Sequence, residues 1–260
     1  MQVVHVRFET SDKWVRAVVG DTAVVDSRAP ILFWDEAFPI PSYAFPRDDV
    51  RTDLLRPAAH PPAPGGSFFL PKGPVAEWFD LHHDDAVLSN AAWVLDDADV
   101  RDRIVLTWQP GVIDHWFEED EEVFGHPRDP HKRVDALQSS RHVTVALEGV
   151  ALAATHHPVL LFETGLPTRY YFPRGDVDFD RLTSSGQRSL CPYKGRAEEY
   201  WDAPGASGVA WSYAHPYPAV EKIAGLVAFY NELVDVIVDD KPLPRPESVF
   251  SSRENRPTEI

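Results

Sequence analysis

Cysteine is nearly absent from this 260-residue chain. Cys191 stands alone, which excludes an intrachain disulfide and any zinc site built from several cysteines. Basic charge is also short: 25 Lys and Arg face 41 Asp and Glu, a formal net charge of −16. A surface of that sign repels phosphate backbones and anionic membranes, so neither nucleic acid nor a membrane is an expected partner. No apolar run approaches the roughly 18 residues a membrane-spanning helix needs. The first residues, Met1-Gln2-Val3-Val4-His5, lack a basic start followed by an apolar core. No leader is therefore expected, and the protein should be soluble and cytoplasmic. There is no Gly-rich phosphate loop, no Walker pattern and no Gly-x-Ser-x-Gly elbow.

What the chain does hold is proline, tryptophan and an echo of itself. Its 24 Pro and 8 Trp suit short strands and many corners rather than long helices. The stretch Leu160–Leu182 runs through Glu163, a turn at Gly165–Pro167, then Tyr170-Tyr171-Phe172-Pro173-Arg174. Glu36, Phe45, Arg47 and Leu55 lie 127 residues before Glu163, Phe172, Arg174 and Leu182. Upstream of each copy, Gly20-Asp21 and Glu148-Gly149 mark hairpins, the second between strands of period-two pattern. Downstream, Lys72-Gly73 and Trp78 echo Lys194-Gly195 and Tyr200 at an offset of 122, and Trp93 echoes Trp211 at 118. The drift fits small insertions in loops. These patterns predict a mostly β protein of two small tandem β domains with little helix. The expected boundaries are 1–125 for a divergent first repeat, 126–139 for a linker, 140–240 for a second repeat and 241–260 for a tail. The acidic block Glu118–Glu122 reads as a solvated face.

Few residues carry candidate chemistry. Arg174 and Lys194 could hold a carboxylate or phosphate, although Arg174 could equally staple its own turn through Glu163 or Asp176. Cys191 lies three residues from Lys194, which could make the thiol nucleophilic, but a small buried hydrophobe is the commoner fate of a lone cysteine. Asp176, Asp178 and Asp180 would share one face of a strand, more simply a solvated face than a cation site. The pairs His82-His83 and His156-His157 read as turn histidines, because strand neighbours point to opposite faces. Trp211 and Tyr171 could wall an aromatic pocket or fill a core.

Through Glu163, Tyr170–Arg174, Asp176-Val177, Cys191–Gly195, Trp211-Ser212-Tyr213 and Ile223–Tyr230, the chain resembles the bacterial domain-of-unknown-function family 427 in its tandem form. The resemblance is close over Arg141–Asp240 and looser over Trp14–Phe117. It implies compact domains of the β-tent kind, a fold that also houses methionine-sulfoxide-reductase and cereblon-type ligand-binding domains. Many β-tents hold zinc through four cysteines, which this chain lacks, so no metal and no cofactor is carried over. The family is sometimes labelled nucleotidyltransferase-like, yet no paired aspartates follow Gly66-Ser67 at a suitable spacing.

The expectation is thus a small-molecule-binding protein. Glu163, Tyr171, Arg174, Cys191 and Lys194 should converge in the second repeat, with Trp211, around a small polar or anionic ligand. The first repeat, with Ala44 in place of Tyr171, should be a partner or a degenerate site. Removing the Lys194 charge should then abolish binding and leave stability unchanged. Two alternatives stand beside this reading: an enzyme using Cys191 or Tyr171 with Lys194, and a protein interaction module using the acidic block.

Overall fold

The computed structural model describes residues 6–35, 40–63, 69–252 and 256. Regular structure among them is almost entirely extended, and every helical piece is a 3-10 turn of three to six residues. No helix among the described residues is long and apolar enough to cross a membrane. The chain divides into two units, Met1–Asp129 and Pro130–Ile260.

Both units repeat one strand order. In the first, a seven-stranded antiparallel sheet runs Val6–Thr10, Ile31–Asp35, Ser42–Pro46, Arg103–Leu106, Ala86–Leu95, Val75–His83, Leu55–Pro57. In the second it runs Val134–Gln138, Val159–Glu163, Arg169–Phe172, Val227–Phe229, Ala206–Ser212, Glu199–Ala203, Thr183–Ser184. Each unit adds a four-stranded sheet. The first orders Glu121–Glu122, His115–Glu118, Val15–Val19, Thr22–Ser27, and the second Lys241–Pro242, Asp235–Val238, Val143–Leu147, Val150–Thr155.

Alternation along the strands builds the cores. In the second unit Tyr170 and Phe172 join Val143, Val145 and Phe229 in a core drawn from both sheets. Tyr171, pointing the other way, enters a separate cluster with Trp211 and Tyr230 on the opposite face of the seven-stranded sheet. The first unit does the same, with Tyr43 and Phe45 inside one core and Ala44 in the other cluster.

A bulge in each hairpin ties the two sheets together. Ladder register shifts between Ala17 and Val18, and again between Val145 and Ala146, leaving Val24 and Leu152 as extra residues. Their carbonyls turn to the Pro-Arg corner, where Arg51 and Asp178 donate N–H bonds at 2.9 and 2.8 Å. Side chains repeat the clasp: Ser27 donates to Asp49 at 2.7 Å, and Thr155 to Asp176 at 2.6 Å.

Several expectations change on this frame. The span expected to be linker contains the strand Val134–Gln138, and the expected tail contributes Lys241–Pro242 and the turn Val249–Ser251. Asp176 and Asp180 sit in 3-10 turns rather than on a shared strand. Glu118 is no solvated acid. It is 7% exposed, accepts the Tyr43 hydroxyl at 2.7 Å and pairs with Lys13 at 2.6 Å. His82 and His83 end the strand Val75–His83, where His83 meets the Thr22 hydroxyl at 3.0 Å. Register also revises one equivalence. Val6 pairs with Asp35 as Val134 pairs with Glu163, and Ile31 pairs with Ala44 as Val159 pairs with Tyr171. Asp35 is therefore the counterpart of Glu163, while Glu36 lies outside the described residues.

Candidate functional site

In the second unit the exposed side of the seven-stranded sheet is roofed by short pieces. They are the hairpin Ser189–Cys191 with Gly195–Ala197, the 3-10 segment Pro218–Ile223, and Phe250 from the C-terminal turn. Beneath them lies a floor of polar aromatics. Tyr171 and Trp211 both pair with Ala228, whose small side chain leaves the rings room to meet edge-on at 6.3 Å between centroids. The Trp211 indole N–H points to the Tyr171 hydroxyl at 3.3 Å.

The hairpin lowers Lys194 onto this floor. The turn is closed by the Lys194 N–H donating to the Cys191 carbonyl at 3.3 Å. Gly195 follows at φ +95°, a left-handed conformation that L side chains rarely adopt, so the turn favours a glycine after the lysine. The Tyr217 N–H then donates to the Lys194 carbonyl at 3.1 Å, tying hairpin to 3-10 segment. The ammonium reaches Glu163, at the end of its strand, at 2.6 Å, both side chains nearly buried.

Burial by itself would drive the Lys194 ammonium towards neutrality. Cys191, Glu163 and Tyr171 outweigh it and hold the group above the usual lysine range, so it stays charged. Tyr171 is pushed up by complete burial, partly offset by Lys194, and stays a neutral hydroxyl. Burial also raises Tyr213, with Cys191 and Tyr171 adding to it, and raises Tyr200, whose hydroxyl meets Ser189 at 2.7 Å.

Glu163, Tyr171, Cys191, Lys194 and Trp211 are thus brought together, and Arg174 is not. Its guanidinium lies on the surface, bonded to Glu199 at 2.7 and 3.3 Å and resting over Phe179 and Trp201. Arg47 pairs with Glu77 in the same way at 3.2 Å, so the corner arginine braces each unit from outside. A cavity of about 230 Å³, partly open to solvent, lies elsewhere in this unit, among residues such as Thr168, Asn231 and Leu243.

A second buried pair escaped the sequence reading. Arg169 donates twice to Glu232, at 2.6 and 2.8 Å, and lies 5.4 to 5.8 Å from the rings of Trp211, Tyr230 and Phe250. Ser248 also donates to Glu232. Burial opposes the Glu232 charge, but the Arg169 bonds prevail and hold its carboxyl below the usual glutamate range. Period two would have placed Arg169 on the Tyr171 face, and Tyr213 on that of Trp211. Glu232, in a turn, gave no such signal. No group of three or more His, Cys, Asp or Glu among the described residues is arranged to hold a metal.

One family matches the chain twice. The model of the family described as a domain of unknown function (DUF427) covers residues 7–102 and 135–240. The chain belongs to the DUF427 family. The two DUF427 segments each hold most of one unit's strands, and the second contains every residue of the cluster around Lys194. Among curated proteins none matches the chain.

Proposed function

We propose that the second DUF427 unit binds a small polar or anionic molecule at the cluster around Lys194. One observation carries this reading. A lysine ammonium has three N–H donors, and this buried one makes a single hydrogen bond among the described residues, to Glu163. Buried donors without acceptors are rare and costly, and a ligand oxygen would supply what the fold does not. The neutral hydroxyls of Tyr171, Tyr200 and Tyr213 add donors around it. A lysine held above its usual range is an anchoring charge, not a base or an amine nucleophile.

The test uses acetate, pyruvate and inorganic phosphate as probes, with tryptophan fluorescence reporting on Trp211. At least one should quench saturably with a dissociation constant at or below about 1 mM, which corresponds to −4.1 kcal/mol. The paired variant Lys194→Met, Glu163→Gln, which strands no charge, should lose that response and keep its fold. Equal responses in the two proteins, or none in the wild type, would refute the reading.

Cys191 supports a second reading, an enzyme whose thiol is the nucleophile. The side chain is half-buried, three residues from the Lys194 charge. Alkylation by iodoacetamide faster than that of glutathione at pH 7 would favour it, and a slower rate would remove it.

A further inference from the structure

The first unit holds open space where the second holds side chains. The ladders make the comparison residue by residue. Ala44 occupies the Tyr171 position, and Ser42, two residues back, occupies that of Arg169. Trp93 pairs with Val105 as Trp211 pairs with Ala228, so Leu95 falls at the place of Tyr213. Serine, alanine and leucine thus replace arginine and two tyrosines on one sheet face. A cleft of about 70 Å³, partly open to solvent, lies beside this face. Phe33, Ser42, Phe69, Leu70, Trp93 and Trp108 line it, and Asp35 and Lys72, at the positions of Glu163 and Lys194, lie on its wall. At roughly 10–15 Å³ for each water-sized position, such a space holds a few waters or one small ring, and its lining is largely apolar.

Two of those walls carry unmet polar groups. Trp93 is 2% exposed and Trp108 is 7% exposed, and neither indole N–H has a hydrogen-bond partner among the described residues. Six buried side-chain polar atoms among the described residues lack a partner, and two of the six belong to this one cleft. An indole nitrogen donates only, so what satisfies it must bring an acceptor. The counterpart indole in the second unit, Trp211, is aimed at the Tyr171 hydroxyl. At the Tyr171 position the first unit has Ala44, which offers an indole no acceptor.

We propose that the first unit is a ligand site in its own right, for a flat, largely apolar small molecule whose carbonyl-type oxygen accepts from the Trp93 and Trp108 indoles. The aromatic and aliphatic walls select a ring, and the two unmet donors select a carbonyl over a hydrocarbon. This site is separate from the Lys194 cluster, and neither depends on the other.

The experiment follows the indole N–H resonances of the full chain labelled with ¹⁵N-tryptophan. Benzamide serves as the probe and toluene as its counterpart without an acceptor. Spectra of Trp93→Phe and Trp108→Phe assign the two signals. Benzamide should move both signals downfield saturably, and toluene should leave them in place. Each Trp→Phe variant should weaken benzamide at least tenfold. Ser42→Leu keeps both indoles and plugs the cleft, so it should abolish the shifts while the other tryptophan signals remain where they are. Signals that ignore benzamide, or that move equally in Ser42→Leu, overturn the proposal. Strong cross-peaks from both indole protons to water, undiminished by benzamide, would make the cleft a hydration site and overturn it as well.

Discussion

Replacing Arg169 by Met removes a guanidinium whose partner has nowhere else to turn. The side chains of Arg169 and Glu232 are 6% and 1% exposed, and the pair is bidentate at 2.6 and 2.8 Å. Without Arg169, the Glu232 carboxylate keeps the Ser248 hydroxyl and its own backbone N–H, both neutral donors. Breaking a buried pair from one side costs about 3–5 kcal/mol, because a charge is left unpaired in a poor solvent. Losing a desolvated cation over aromatic rings adds roughly 1–2 kcal/mol. Against a domain stability of about 5–15 kcal/mol, the second unit should come close to unfolding. Urea titration followed by circular dichroism measures this directly. The double variant Arg169→Met, Glu232→Leu should recover most of the loss, since both charges leave together. The pH dependence has a definite sign. Glu232 is held below its unfolded range, so in the wild type its stabilisation is present above about pH 4.3 and fades as pH falls through the lowered folded value. In Arg169→Met the stranded carboxyl should instead favour protonation, so acid should narrow the gap between variant and wild type. A loss below about 1 kcal/mol, the scale of an exposed pair, would refute the reasoning. So would a double variant as unstable as the single one.

Lys194→Met by itself should destabilise the second unit by about 3–5 kcal/mol, because Glu163 is left buried and charged; a thermal scan checks this. This replaces the expectation from sequence that stability would be untouched. Gly20→Ala should cost at least about 1 kcal/mol in urea unfolding, since Gly20 sits at φ +55° and an added Cβ would stand 2.9 Å from the His83 ring. Glu118→Gln should weaken the first unit by about 1–3 kcal/mol through the Tyr43 and Lys13 bonds, read as a lower urea midpoint. Elemental analysis of the purified chain should find no tightly held zinc, the one cysteine and scattered histidines being poorly placed to bind it.

The strands were legible because period two survives in them: Val143-Thr144-Val145 declares its buried face without any partner in view. The Pro-Arg corners were legible because proline and a fixed spacing repeat there. Pairings across distant strands were not. Arg174 finds Glu199 only after Glu199–Ala203 has been placed in the sheet, and no local pattern names that partner. The match of Glu36 to Glu163 failed for a related reason. A one-residue difference in the loop before Ser42 shifts the alignment, and in a strand one residue decides which face a carboxylate meets. Glu118 misled through composition: a run of acids looks solvated even when its first member turns inward.

The bulged residues Val24 and Leu152 make each hairpin a counting device. One extra residue puts Val24-Val25 and Leu152-Ala153 inward as consecutive buried pairs, and aims a free carbonyl at the corner. Deleting either would restore plain alternation, exchange inside for outside along the rest of the strand, and cut the corner loose. Reading-frame-preserving deletions should therefore be survivable in the loop after Pro57, where the copies already differ in length, and lethal to the fold at these two codons. Tolerance to length change along this gene is set by strand parity more than by distance from any site.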